Sequence, residues 1–266
     1  MNLAGKTAVV TGAGSGIGRA IAHSLGRRGC HLALADINEA GLAETASLMN
    51  HGALRVSCHR LDVSDAKAVA AFPDVVLATH GGANMLINNA GVALGGNFEE
   101  VSEADFEWLF DINFWGVVRM TRAFLPLLKS AGEAQLVNIS SLFGLIAPPG
   151  QSAYSASKFA VRGFSEALRH ELEGDEVGVT TVHPGGVATS IAKSARMAKE
   201  LSPSELAQMQ RRFQRLLKMP PEQAGEIIVN GIERRLPRIV VGSDAKFASI
   251  IERIAPVSYW KFISRL

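Results

Sequence analysis

Thr7-Ala8-Val9-Val10-Thr11-Gly12-Ala13-Gly14-Ser15-Gly16-Ile17-Gly18 carries the decision about the fold. The β-branched run Thr7 to Thr11 reads as a buried strand, and the pattern from Ile17 to Arg28 reads as a helix that Gly29 is placed to stop. A glycine-rich turn joins them. It does not match G-x-G-x-x-G, because the third position falls on Ile17; the glycines fit T-G-x-x-x-G-x-G. Both spacings use the same physics. Glycines let the backbone turn tightly and approach a pyrophosphate, and the helix amino end offers free N–H groups and a positive dipole. A turn with no ligand is the competing reading. The strand before and the helix after favour a nucleotide site at Gly12, Ser15, Gly16, Ile17 and Gly18.

Outward from this unit, short β-branched runs alternate with helical patterns. Further strands are predicted at His31 to Asp36, Ala53 to His59, Met85 to Asn88, Gln135 to Ser140, Val177 to His183 and Arg238 to Val241. Helices are predicted at Glu39 to Asn50, from near Ser64, from the cap at Ser102 to about Lys129, and at Ala153 to Glu173. The alternation predicts an α/β fold: a doubly wound, Rossmann-like parallel sheet with helices on both faces. Ligands in such sheets bind beyond the carboxyl ends of the strands.

Nothing in the 266 residues breaks this into two domains: no Pro/Ser/Gly-rich linker, long charge run or internal repeat. A formal charge of +2 is too small to argue for nucleic acid or an anionic membrane as partner. Cys30 and Cys58 lie in apolar, strand-like segments and read as buried free thiols. With no signal peptide and no bilayer-spanning run in the sequence, a soluble, cytoplasmic protein is expected. No metal site is read from the sequence.

Asp36 ends the second strand, the right distance on to accept hydrogen bonds from an adenosine ribose and to repel a 2′-phosphate. Neither Ser15 nor Ile37 supplies a cation for that phosphate, so NAD is favoured over NADP. The other reading is that Asp36 caps the helix beginning near Asn38. Asp62 and Val63 end the third strand, where an adenine edge could be read; Asp62 is equally a turn residue.

Tyr154 and Lys158 are four residues apart in a predicted helix and so share a face. A phenol titrates near pH 10, too high for efficient proton transfer at neutrality. A cation about 6 Å away at an effective dielectric of about 20 favours phenolate by roughly 3 kcal/mol. Alone, Y-x-x-x-K is weak and describes many helix starts with an exposed lysine. Ser141 strengthens it. It lies thirteen residues before Tyr154 and could orient a substrate oxygen, while period-two alternation turns Ser140 the other way. Asn113 lies among apolar residues in a long helix. Two readings stand level: it bonds backbone at a helix distortion and holds a water leading protons to Lys158, or it is a buried, satisfied amide.

These segments, with Asn88-Asn89-Ala90-Gly91 and Pro184-Gly185-Gly186-Val187-Ala188-Thr189, resemble the short-chain dehydrogenase/reductase family over nearly the whole chain. The resemblance implies that Tyr154 is the general acid/base, that Lys158 lowers its pKa and holds the nicotinamide ribose, that Ser141 orients the substrate and that Asn113 supports a relay water. It implies that Gly12, Gly16, Ile17 and Gly18 wrap the pyrophosphate and that Asp36 selects NAD. Asn89 and Gly91 would line the adenosine side, and Val187 and Thr189 the carboxamide. It further implies a homodimer or homotetramer built through the helices carrying Tyr154 and Asn113, acting on a small-molecule alcohol or carbonyl compound. Asn84 and Gly186 depart from the family pattern; the glycine implies a more mobile loop over the nicotinamide.

A redox sensor that binds nucleotide without turnover is the alternative. It has no need of Tyr154, Lys158 and Ser141 together. A substrate lid is expected over about 187–220, where Ile191, Met197, Leu201, Leu206, Met209, Phe213, Leu216, Leu217 and Met219 form either a pocket cover or one buried helical stripe. Its apolar character points to a lipophilic substrate. Arg211, Arg212, Arg215 and Lys218 read as a solvated face before an acidic-substrate site. The amphipathic tail, about 243–266, is expected to rest on its own or a partner subunit before it serves as a membrane anchor.

Overall fold

The computed structural model describes residues 1–49, 52–192, 194–198 and 217–264. In chain order the elements are β1 (Thr7–Thr11), α1 (Gly16–Arg27), β2 (His31–Asp36), α2 (Glu39–Ser47), β3 (Val56–Arg60), α3 (Ala66–His80), β4 (Met85–Asn88) and β5 (Leu94–Gly95). Then follow α4 (Glu103–Phe110), a π-helical turn (Asp111–Trp115), α5 (Gly116–Ser130), β6 (Ala134–Ile139), α6 (Ser152–Glu171), β7 (Val177–Pro184) and β8 (Arg196–Met197). The chain closes with α7 (Pro221–Glu233), β9 (Arg238–Val241), α8 (Ser243–Ile254) and α9 (Tyr259–Ile263).

Seven strands form one parallel sheet in the order β3-β2-β1-β4-β6-β7-β9. The order reverses between β1 and β4, which opens a crevice at their carboxyl ends. Ile21 and Leu25 of α1 join Ile228 and Ile232 of α7 over one face of the sheet. Val69 and Val76 of α3, Phe124 of α5 and Leu168 of α6 cover the other. The doubly wound, single-domain architecture expected from the alternation is the one observed.

Several boundaries differ. β3 starts at Val56 instead of Ala53 and is an edge strand, so alternate residues face water. Cys58 is therefore exposed, against expectation, while Cys30 is buried. The long helix predicted from Ser102 to Lys129 is interrupted by the π-helical turn. The tail forms two helices: α8 buries Ala245, Ala248 and Ser249 and turns Phe247, Ile250 and Ile254 outward. Among the described residues no helix is long and apolar enough to cross a membrane. The lid residues Leu201, Leu206, Met209, Phe213 and Leu216, with Arg211, Arg212 and Arg215, lie outside the described residues, as does Leu266.

Candidate active site

The predicted residues lie at the carboxyl ends of the strands: Asp36 after β2, Asp62 and Val63 after β3, and the rest around the ends of β1, β4, β6 and β7. Tyr154 and Lys158 stand in the first turns of α6. Lys158 is buried, and its Nζ donates to the Ile139 carbonyl at 3.2 Å. Nζ lies 5.8 Å from the centroid of the Tyr154 ring. Ser141, just past β6, accepts the Phe143 N–H at 3.1 Å, and its hydrogen bond to Tyr154 pulls the phenol down. Ser140 turns away as the alternation requires: it is buried and donates to the Lys158 carbonyl at 2.9 Å.

Burial governs the protonation of this pair. It pushes the Lys158 ammonium down to about 8 and the Tyr154 phenol up, with the Ser141 bond opposing the latter. Burial of the phenol thus opposes the lowering that Lys158 is expected to bring.

Asn113 occupies the π-helical turn and is fully buried. Its amide reaches Val92 and, at 3.3 Å, the Ser157 hydroxyl, so both readings of this residue hold in part: it is satisfied, and it bonds backbone at a distortion. Gly91 sits beside it. A Cβ there would lie 3.1 Å from Asn113 Oδ1 and 3.4 Å from Lys158 Nζ, which puts Gly91 next to the lysine.

The glycine turn is braced from behind. Asn89 Nδ2 donates to the carbonyls of Thr11 and Gly12 at 3.0 and 3.1 Å, and a Cβ on Gly12 would lie 2.7 Å from that nitrogen. Gly12 and Gly16 have φ of +64° and +53°, a region that L side chains avoid. Ser15 caps α1 with no side-chain hydrogen bond, whereas Asn38, Asp65 and Ser102 cap α2, α3 and α4 through their side chains. The first-turn N–H groups around Gly16, Ile17 and Gly18 thus keep the character of an anion cradle, and the turn fits a pyrophosphate. Thr189 closes it from above: a Cβ on Gly16 would lie 3.1 Å from the Thr189 methyl.

Asp36 does not cap α2, whose N-cap is Asn38; its carboxylate instead accepts backbone N–H groups from the loop before α2 and from the glycine turn. One carboxylate oxygen accepts the Asn38 N–H at 2.9 Å and the other the Gly14 N–H at 2.8 Å. Asp62 accepts the N–H and hydroxyl of Ser64, a turn role, and Val63 is buried against Gly116. Val187 is buried and bridged to Met219. Gly186 is hydrogen-bonded on both sides: its N–H donates to Asp244 and its carbonyl accepts two N–H groups, from Lys218 and Met219. Among the described residues no three His, Cys, Asp or Glu side chains gather to hold a metal.

Sequence reasoning missed two supports. Thr11 Oγ1 accepts the N–H groups of Asn89 and Ala90, tying the glycine turn to the end of β4. His183, buried in β7, bonds the Ser141 carbonyl through Nδ1 at 3.0 Å, and burial lowers its pKa to about 4, keeping it neutral. The only sequence signal for it was a histidine directly before Pro184.

Comparison with known proteins agrees with this geometry. A family profile described as short chain dehydrogenase matches residues 6–200. The chain is 46% identical over 263 residues to SadH of Mycobacterium tuberculosis, named as an oxidoreductase, covering 98% of this chain and 94% of the relative. A short chain dehydrogenase/reductase from Burkholderia phymatum, solved in complex with NAD, superposes with a TM-score of 0.87 at 34% identity, covering 96% of this chain and 95% of the other. A metagenomic short-chain oxidoreductase solved with NADP superposes with a TM-score of 0.66 at 36% identity, covering 70% of this chain and 85% of the other. With this turn, this cluster and these relatives, the chain belongs to the short-chain dehydrogenase/reductase family of oxidoreductases.

Proposed function

We propose that the chain transfers a hydride between NAD(H) and a secondary alcohol or its ketone, on a lipophilic substrate. The observation that carries this reading is the convergence of Tyr154, Ser141 and Lys158 beside a glycine turn shaped for a dinucleotide. NAD, when bound, supplies the hydride acceptor at nicotinamide C4 and a positive ring beside the phenol.

The protein's part is proton handling and orientation. Tyr154 Oη takes the proton of the substrate hydroxyl during oxidation and returns it during reduction. Ser141 Oγ holds the substrate oxygen toward that phenol. Lys158, titrating near 8, sits where it can stabilise phenolate and bond the nicotinamide ribose. Asn113 fixes the Val92 backbone beside Lys158 and supports the route by which the proton leaves. Gly12, Ser15, Gly16, Ile17 and Gly18 hold the pyrophosphate; Asp62, Val63, Asn89 and Gly91 belong to the cofactor wall; Val187 and Thr189 meet the carboxamide.

Asp36 supports NAD over NADP, since its carboxylate faces the turn with the apolar Ile37 beside it. An apolar substrate is supported by Phe143, whose ring meets Tyr154 edge-on at 6.1 Å, and by Met197 against Gly95. Assembly as a homodimer or homotetramer is supported by Trp115 and Phe159, exposed beside the helices that carry Asn113 and Tyr154. The test is a screen of steroid, fatty, sugar and small secondary alcohols with NAD and NADP in both directions. Turnover of a lipophilic member with NAD is expected. NADH binding without turnover across the panel would favour a redox sensor.

A further inference from the structure

The C-terminal segment reaches back over the site at two points. Asp244, in the first turn of α8, accepts the Gly186 N–H on Oδ2 at 2.7 Å. Space for the carboxylate exists because positions 185 and 242 are glycines; a Cβ at either would collide with it. The loop it holds is tied on its other sides too. The Gly185 N–H donates to the Val241 carbonyl at 2.9 Å, and the Ala188 N–H to the Met219 carbonyl at 2.9 Å. Val187 follows Gly186 directly, and Thr189 lies over Gly16 of the nucleotide turn. At the far end of the segment, the Tyr259 hydroxyl accepts the Ala147 N–H at 3.0 Å, in the loop that leads from Ser141 to α6. The C-terminal helices thus hold both the loop that follows β7 and the loop that leads from Ser141 to α6.

We propose that Asp244 is a positioning residue for the nicotinamide end of the cofactor, acting through Gly186 on Val187 and Thr189. The proposal rests on the reading of those two residues as carboxamide contacts. A carboxylate makes a shorter and stronger bond to an N–H than a neutral acceptor does. It fixes the N–H of the second of two consecutive glycines, a group that the other ties of the loop leave without a partner. The carboxylate touches neither turn nor phenol, so its removal should be felt at one end of the dinucleotide only.

Calorimetric titration of Asp244→Ala with NADH and with ADP-ribose, which lacks the nicotinamide ring, tests this. NADH should bind about tenfold more weakly while ADP-ribose stays within about twofold. Asp244→Asn, whose amide oxygen can accept the same N–H, should recover most of the NADH affinity. Equal NADH affinity in Asp244→Ala and wild type would overturn the proposal, as would an equal loss for both ligands. Hydrogen exchange on the wild-type chain gives a reading independent of any variant's folding: slow exchange at the Gly186 amide agrees, and exchange at the rate of an open loop contradicts. A wild-type chain that binds no NADH would remove the nucleotide reading and this proposal with it; binding that ignores Asp244 removes this proposal alone.

Discussion

Asn113 grips both backbone polar atoms of Val92: its Oδ1 accepts the Val92 N–H at 2.8 Å and its Nδ2 donates to the Val92 carbonyl at 3.0 Å. A side chain at a π-helical turn thereby behaves as a strand partner for the segment leaving β4. Asn113→Ala leaves that N–H and carbonyl unpaired beside a buried lysine. Each orphaned group costs roughly 1–3 kcal/mol. Urea unfolding should show a loss of at least about 2 kcal/mol for Asn113→Ala; an unchanged midpoint would mean the bracket is idle.

Lys158 is expected to cost stability. Its folded pKa of about 8 lies below the ordinary 10.5, so the unfolded chain binds more protons between those values. The cost is fully present below about pH 8, fades as pH rises from there to 10.5 and is gone above it. At neutrality it amounts to roughly 3 kcal/mol, less about 1 kcal/mol for the bond to Ile139. Lys158→Met should therefore melt higher than wild type near pH 7, lose that advantage toward pH 10.5, and have no turnover. A lower melting temperature at neutrality would contradict the burial cost.

Cofactor choice is expected to turn on residues 36 and 37. Ile37 is 62% exposed next to Asp36, so an arginine there can reach a phosphate at the rim. Asp36→Ser with Ile37→Arg removes the repulsive carboxylate, keeps an acceptor for the turn and adds a cation. NADPH should then bind at least about tenfold more tightly than NADH. Retained NADH preference in a titration of the double variant would place the selection elsewhere.

Arg196 clamps the short strand β8. Its guanidinium lies 3.9 Å above the Trp108 ring and its Nη1 2.6 Å from Asp105, while β8 pairs with β5. Both contacts are partly exposed and screened by solvent, so the clamp adds little to global stability and acts on the strand locally. Arg196→Ala should be cut faster by thermolysin around residues 194–198, with NADH affinity unchanged. Equal cleavage rates would show that strand pairing alone holds this strap.

Much of the molecule was legible because its chemistry is local. Gly12 to Gly18 sit between a strand and a helix that each announce themselves, and Tyr154 and Lys158 are one turn apart. Parallel strands with helices on both faces follow from the alternation and the right-handed crossover, whereas the strand order is seen only in the structure. What escaped is set by register and by distance along the chain. His183 meets Ser141 because β7 lies beside β6, and nothing near residue 183 announces that neighbour. The π-helical turn answers to Val92, which lies 21 residues upstream of Asn113. Cys58 is exposed because β3 lies at the sheet edge. Tyr154 shows a further limit: spacing gives its distance from Lys158 but not the burial that raises its pKa.

The central claim is that the Tyr154 hydroxyl carries the proton in step with hydride transfer. The most direct test compares Tyr154→Phe with wild type in steady-state turnover of an alcohol that the wild type oxidises, alongside NADH titration. The account predicts NADH affinity within about threefold of wild type and turnover lower by about a thousandfold. Turnover within a few-fold of wild type, with binding intact, would contradict it.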